Sequence, residues 1–424
     1  MSKLTRKEFL KRTLVASAGV PFVSRLPEME RASLNVPELP HLYADEVFWV
    51  EVRQQFRLDP KVLNLNNGAV GPQPFSVQQA HIKMYEQSNT APSHFMWKDV
   101  DGKREAVRHK LANLIDCQAE EVAINRNTTE GLNTLVFGLD LQKGDEVVVS
   151  DYDYPFLLNA WKQRALRDGI VIKKVNLSLP MEDNHQIVEL YRLAITPKTK
   201  VVHVTHLINW TGQIMPVMEI SRMAKKAGCL VVVDAAHSLA HIPFSFKEIG
   251  CDYLATSLHK WLGAPFGTGA LVIKKEQIPT IWPAPSAWQP QSDNIRKFEV
   301  LGTRSFPAEM SAMQAVSFHQ EIGTERVNER LNYLKMYWVN RVKGSEKVRF
   351  HTSLKPTYSG AMATFSIDGI EAEKIADFLF DTDGIHVGII KWNGLNGVRI
   401  SPHIYTSLEE LDRLVNAIQK LTEG

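Results

Sequence analysis

Val231-Val-Val-Asp234-Ala-Ala-His237-Ser-Leu-Ala-His241, followed by Tyr253-Leu-Ala-Thr-Ser257-Leu-His259-Lys260-Trp-Leu-Gly263, is the stretch from which the fold can be read. Its first run is near-continuous valine, the pattern of a strand buried on both faces of a parallel sheet. Asp234 closes that run, and Lys260 stands 26 residues further on, at the end of the next apolar run. Ligands of open α/β sheets bind outside the carboxyl ends of the strands. Both residues therefore fall where chemistry is expected and where packing has no need of a charge.

The same alternation continues outward in both directions. Glu146-Val-Val-Val-Ser150, Ile170-Val-Ile-Lys-Lys174, Lys200-Val-Val-His-Val-Thr205 and Gly269-Ala-Leu-Val-Ile-Lys274 read as further strands. Helical patterns lie between them, such as Met218 to Ala227 with Gly228 as its stop, and this succession predicts crossover units around a mostly parallel sheet. Pro279, Pro283, Pro285 and Pro290 mark an irregular crossing. Beyond it the pattern predicts a long helical stretch over 308–343, strands at 361–367 and 397–401, and an amphipathic terminal helix over 408–421. The expected fold class is α/β, with a large domain over 61–290 and a smaller C-terminal α+β domain over 291–424. An N-terminal segment (27–60) precedes them.

Composition narrows the function classes. The 424 residues are 44% apolar and 23% charged, with 49 Lys+Arg against 47 Asp+Glu. A chain of this balance has no basic footprint for nucleic acid or an anionic membrane, and a small discrete substrate is expected instead. Cys117, Cys229 and Cys251 have neither metal-ligand spacing nor the even count of a disulfide framework. His237 and His241 are spaced i, i+4, yet no glutamate base follows the zinc-protease pattern, so no metal is expected.

Residues 1–26 stand apart. Lys3, Arg6, Lys7, Lys11 and Arg12 precede a short apolar run, Leu14 to Val23. Thr5-Arg6-Lys7-Glu8-Phe9-Leu10-Lys11 resembles a twin-arginine export signal with lysine in place of the second arginine. Periplasmic export is the expectation, with a retained extension on a cytoplasmic protein as the alternative. The run falls short of the roughly 20 residues that span a bilayer, and no later segment is long and apolar enough to do so.

A desolvated lysine amine can form a Schiff base with an aldehyde, and a carboxylate beside a pyridine nitrogen keeps that ring protonated. Those are two groups that pyridoxal 5'-phosphate (PLP) chemistry requires. With Asp234 and Lys260 so spaced, the chain from about residue 60 to its end resembles the class V aminotransferase group of fold type I PLP enzymes, within it the isopenicillin N epimerase and cysteine desulfurase branches. The resemblance implies that Lys260 carries the cofactor and that Asp234 pairs with the pyridine nitrogen.

Further motifs fall into register around that pair. Asn127-Thr128-Thr129-Glu130 has the form of a helix start, whose free N–H groups make an anion site. The resemblance assigns Thr128 and Thr129, with Ser257 and His259, to the cofactor phosphate. It assigns Thr303, in Phe298-Glu-Val-Leu-Gly302-Thr303, to the phosphate of a partner subunit, implying a homodimer with shared active sites. Tyr154, or Tyr152 if the register slips by two, would stack on the pyridine ring. Asn209 would bond the phenolic oxygen, with His237 near it. Arg399 would clamp the α-carboxylate of a small-molecule amino substrate as a planar bidentate pair. Asn67 is expected on the substrate side. Gly263, Gly267 and Gly269 are expected to let backbone pass close to Lys260. Desulfurases carry a mobile cysteine in the C-terminal domain, whereas the matching segment here, Asp383-Gly-Ile-His-Val-Gly-Ile-Ile390, has none. The expectation is therefore a PLP enzyme acting at an α-carbon in the manner of an isopenicillin N epimerase. Transamination, oxidative decarboxylation and carbon-sulfur lysis without a cysteine are the alternatives.

Overall fold

The structure, a computed structural model, describes residues 34, 36–37, 41–284 and 286–423. The leader expected over residues 1–26 lies outside the described residues.

After the helix Glu46–Gln54, whose Phe48, Trp49 and Val52 are buried, comes a two-residue strand, β1 (Leu63–Asn64). The large sheet then collects β2 (Val122–Asn125), β3 (Glu146–Ser150), β4 (Val171–Val175), β5 (Thr199–Thr205), β6 (Leu230–Asp234), β7 (Tyr253–Ser257) and β8 (Gly269–Ile273). Their spatial order is β2-β8-β7-β6-β5-β3-β4, and every strand runs the same way except β8, which is antiparallel to both of its neighbours. The valine runs behave as their composition requires. Val148 faces one hydrophobic core while Val147 and Val149 face the other, and Leu254 and Tyr253 divide likewise, so the sheet is covered on both faces.

A four-stranded antiparallel sheet forms the smaller body, in the order β12 (Gly388–Trp392), β13 (Leu395–Ile400), β10 (Ala363–Ile367), β9 (Val348–Phe350). β11 (Ile385–His386) instead pairs with β1 in parallel, tying the segment ahead of the large sheet to the smaller body.

The helical stretch expected over 308–343 is two helices, Phe306–Ile322 and Thr324–Val342. Gly323 separates them at φ 93°, a conformation that only glycine adopts without strain. The first helix packs on Phe75–Thr90 and Arg104–Ile115, and the second on the terminal helix Leu408–Glu423. Within the second helix Val327 and Leu331 belong to the core of the large body, and Leu334, Trp338, Val339 and Val342 to that of the smaller one, which also takes in Leu63 and Leu65. The chain thus passes between cores within Thr324–Val342, downstream of the proline-rich crossing. No helix among the described residues is long and apolar enough to cross a membrane.

Candidate active site

The carboxyl ends of β5, β6 and β7 open into a cavity of about 450 Å³, within the range of roughly 300–1,000 Å³ usual for small-molecule sites. Thr205 and Asp234 are register partners on adjacent parallel strands, and Asp234 pairs with Ala255 of the next. The same edge therefore presents β5, β6 and β7 side by side. Asp234, Ser257 and, just past β7, His259 and Lys260 all line the cavity.

Asp234 is only 4% exposed, and its Oδ1 accepts the Ala236 N–H at 2.9 Å. Burial pushes its carboxyl up, opposed by that hydrogen bond and by the charge of Lys260. Lys260 Nζ lies 3.0 Å from His237 Nε2. Burial lowers the lysine to about 8, with Asp234 raising it and Arg399 lowering it further. At neutral pH this amine thus has an appreciable neutral fraction, as a nucleophile or general base requires.

The helix Thr128–Gly138 starts at the cavity wall. Asn127 caps it, its Oδ1 accepting the Glu130 N–H at 2.8 Å. Glu130 does not complete the capping box by reaching back to Asn127. It accepts instead from the Arg126 backbone N–H and guanidinium, both at 2.6 Å. The Thr128 backbone N–H donates to Ser257 Oγ at 3.0 Å, and the Thr128 and Ser257 hydroxyls are 2.7 Å apart. Thr128, Thr129, Ser257 and His259 therefore form one wall of hydroxyls, an imidazole and a helix N-terminus, the chemistry of an anion cradle. Gly269 permits that closeness: a Cβ there would stand 2.4 Å from Asn125 Oδ1 and 2.7 Å from the Asn127 backbone. The expectation for the three glycines is corrected accordingly. The glycine packed on the lysine backbone is Gly71, where a Cβ would meet Lys260 O at 2.6 Å.

Arg399, on β13, reaches the cavity from the smaller body. It donates to Asn209 O at 2.6 Å and to Asn66 Oδ1 at 2.9 Å, while its Nε is buried without a partner. Among the described residues no carboxylate pairs with it, and burial alone lowers it to about 10. A buried guanidinium without a counter-ion is a site for an anion. Space is kept for one by Gly68 and Gly388, where a Cβ would stand 3.0 and 3.5 Å from Arg399 Nη2.

Ten of the residues named from the sequence line this one cavity: Thr128, Thr129, Tyr154, Asn209, Asp234, His237, Ser257, His259, Lys260 and Arg399. Of the two tyrosines, Tyr154 is at the wall, whereas Tyr152 is buried in the core of the large body. Asn67 is not at the wall. Its amide donates to Asn64 O and Ser401 O, each at 2.9 Å, and its Oδ1 accepts the Tyr405 hydroxyl at 2.6 Å, so it braces the loop. The adjacent Asn66 takes the place at the wall and bonds Arg399. Thr303 is exposed, in the loop ahead of Phe306–Ile322, and lines no part of its own chain's cavity.

Two polar residues at this strand edge were missed from the sequence. Thr205 lines the cavity, and its hydroxyl donates to buried Asp153 at 2.6 Å. Burial pushes Asp153 up to about 7, against hydrogen bonds from Thr205 and Ser150. The polar end of β5 was the available signal for Thr205. No cysteine lines the cavity, and all three are buried elsewhere.

The sequence profile of the family described as Aminotransferase class-V matches residues 63–414. The isopenicillin N epimerase of Amycolatopsis lactamdurans is 27% identical over 88% of this chain and 99% of its own length. The apo structure of a cysteine desulfurase from Thermococcus onnurineus NA1 superposes with a TM-score of 0.80 at 25% identity, covering 88% of this chain and 98% of that one. A lysine-to-alanine variant of C-DES, solved with glycine covalently linked to its PLP cofactor, matches in fold with a TM-score of 0.77 at 22% identity, over 86% of this chain and 98% of that one.

Proposed function

The chain belongs to the aminotransferase class-V family, and on that footing we propose that it epimerises the α-carbon of an amino acid or amino-acid-like substrate. It is a PLP-dependent enzyme, as its family is. The single observation that carries the choice of substrate is Arg399, a buried guanidinium without a carboxylate partner among the described residues, in the same cavity as the Lys260 amine.

The residues present fit PLP. Thr128, Thr129, Ser257 and His259 would hold its phosphate, Asp234 its pyridine nitrogen, and Tyr154 one face of its ring, with Asn209 and His237 beside its phenolic oxygen. When bound, the cofactor supplies a carbonyl carbon for the amine and an electron sink for the charge left at the α-carbon. Arg399 binds the substrate carboxylate through two parallel N–H donors and so orients the α-carbon. Lys260 takes the α-proton on Nζ as general base, and return of a proton to the opposite face inverts the centre. Sulfur transfer through a cysteine has no group to carry it here. Cys117, Cys229 and Cys251 are buried in the core, and burial pushes the Cys117 thiol up to about 12.

Incubation with single-enantiomer amino acids in heavy water tests this. The expected result is about one deuterium per α-carbon turned over, with growth of the opposite enantiomer and no keto acid. Keto acid in its place would overturn epimerisation in favour of transamination, and release of carbon dioxide would overturn it in favour of decarboxylation. Cysteine persulfide and pyruvate released from cystine would favour carbon-sulfur lysis.

The proposal includes a homodimer with shared active sites. Thr303 is exposed and does not line the Lys260 cavity of its own chain, and nearby Val300 and Phe156 are apolar side chains left in solvent, 42% and 62% exposed. Sedimentation at micromolar concentration should give twice the chain mass, and Thr303→Ala should weaken PLP retention without dissociating the dimer. A monomer that retains PLP would contradict it.

A further inference from the structure

Trp261 follows Lys260 in sequence, but its indole points away from the cavity into the core, where it is 3% exposed. It stacks on His403, with centroids 5.8 Å apart and planes at 11°, and its ring centroid lies 3.9 Å from that of His241. Its Nε1–H donates to His237 Nδ1 at 3.3 Å. On the other side of the same imidazole, Nε2 faces Lys260 Nζ at 3.0 Å.

The chemistry of these donors leaves one consistent arrangement. An indole N–H can only donate, so His237 Nδ1 accepts, and a neutral imidazole that accepts at Nδ1 carries its proton on Nε2. That proton is directed at Lys260 Nζ. An ammonium has no lone pair to receive it, whereas the neutral amine does. We propose that Trp261 is a positioning residue: by holding His237 as its Nε2–H tautomer, it biases the Lys260 amine toward its neutral, nucleophilic form before the cofactor is attached.

The His237 backbone is anchored as well. His241 Nε2 accepts the Ala361 N–H at 2.8 Å, which leaves its Nδ1–H to donate to His237 O at 2.8 Å. The titratable groups around the pair are Asp234, Arg399, His259 and His241. Asp234 alone favours the charged amine. Arg399 opposes it, and burial holds both Lys260 and His237 below their ordinary values. The opposite tautomer would set the Trp261 N–H against an Nδ1–H, two donors with no acceptor between them.

The inference rests on Lys260 being the attachment residue, but its test needs no cofactor. In the full-length chain freed of PLP by hydroxylamine, nitrogen-15 NMR of the histidine rings should show His237 protonated at Nε2 and bare at Nδ1, the signals being assigned by their loss in His237→Gln. A protonated Nδ1 would overturn the proposal. The pH dependence of Lys260 acylation by acetic anhydride, read by peptide mass spectrometry, gives a second measure. The wild-type midpoint should lie near pH 8. Trp261→Phe keeps an aromatic ring and removes the N–H. It should raise the midpoint by about one pH unit, slowing acylation at pH 7 about tenfold. A folded Trp261→Phe protein with an unmoved midpoint would overturn the proposal, and if that variant does not fold, the NMR of the wild type still decides. Failure of the wild type to bind PLP at all would sink the site reading while leaving the tautomer result standing.

Discussion

Lys260→Ala is expected to lower turnover by at least about 10⁴-fold while leaving the protein folded, since it removes the nucleophile and the general base together. The fold should tolerate the change because Lys260 makes no ion pair among the described residues and its side chain bonds to His237. Burial already disfavours its charged form, so alanine removes a cost along with a contact. A small primary amine added to the variant should restore part of the rate, because the cavity then has room for an external base. Retention of more than a tenth of wild-type turnover, with normal folding, would remove Lys260 from the mechanism.

Steep loss of stability between pH 6.5 and 5 is the second large effect expected. His203, His206, His241, His319 and His403 are all buried, and burial alone or chiefly lowers them to about 3, 4, 3, 4 and 4. In the unfolded chain each titrates near 6.5. As pH falls through that value the unfolded state takes up protons that the folded state refuses, so stability declines until the folded values are reached. At pH 5 each histidine has cost about 2 kcal/mol, and five together on the order of 10 kcal/mol. Asp153 acts in the opposite direction: its folded value of about 7 lies above its unfolded one, so its protonation on acidification returns about 3 kcal/mol by pH 5. The net loss is comparable with the 5–15 kcal/mol that holds a typical domain folded. Thermal unfolding followed from pH 7.5 to 5 should show a sharp fall in Tm. His203→Leu should flatten it by about one histidine's share, since neither nitrogen of His203 has a hydrogen-bond partner among the described residues. A Tm unchanged down to pH 5 would contradict these buried neutral imidazoles.

How legible the site was in the sequence follows from what placed each residue. Asp234 and Lys260 could be read because valine runs mark strands buried on both faces, and adjacent parallel strands end at one edge. Arg399 comes to the same cavity from β13, 165 residues beyond Asp234. No local periodicity predicts that meeting, and only the family resemblance pointed to it. Asn66 and Asn67 are adjacent and chemically identical, and which faces the cavity depends on Tyr405 and Ser401 holding the second of them inward. Trp261 reads as an ordinary core residue, because its role lies in which nitrogen of His237 it touches. The stack of Trp210 on Trp392, at 5.0 Å with planes 6° apart, likewise joins the cavity wall to the β12–β13 hairpin across a sequence distance that no pattern bridges. The missing cysteine of the 383–390 segment was legible without any structure, since it is an absence in the sequence itself.

The central claim is that PLP is held on Lys260 in this cavity. Borohydride reduction of the purified wild-type protein, followed by peptide mapping, tests it most directly. The visible absorption band should be lost and a stable pyridoxyl phosphate adduct should appear on the single peptide that contains Lys260. A protein with no visible band and no adduct, or an adduct on a different lysine, would contradict it.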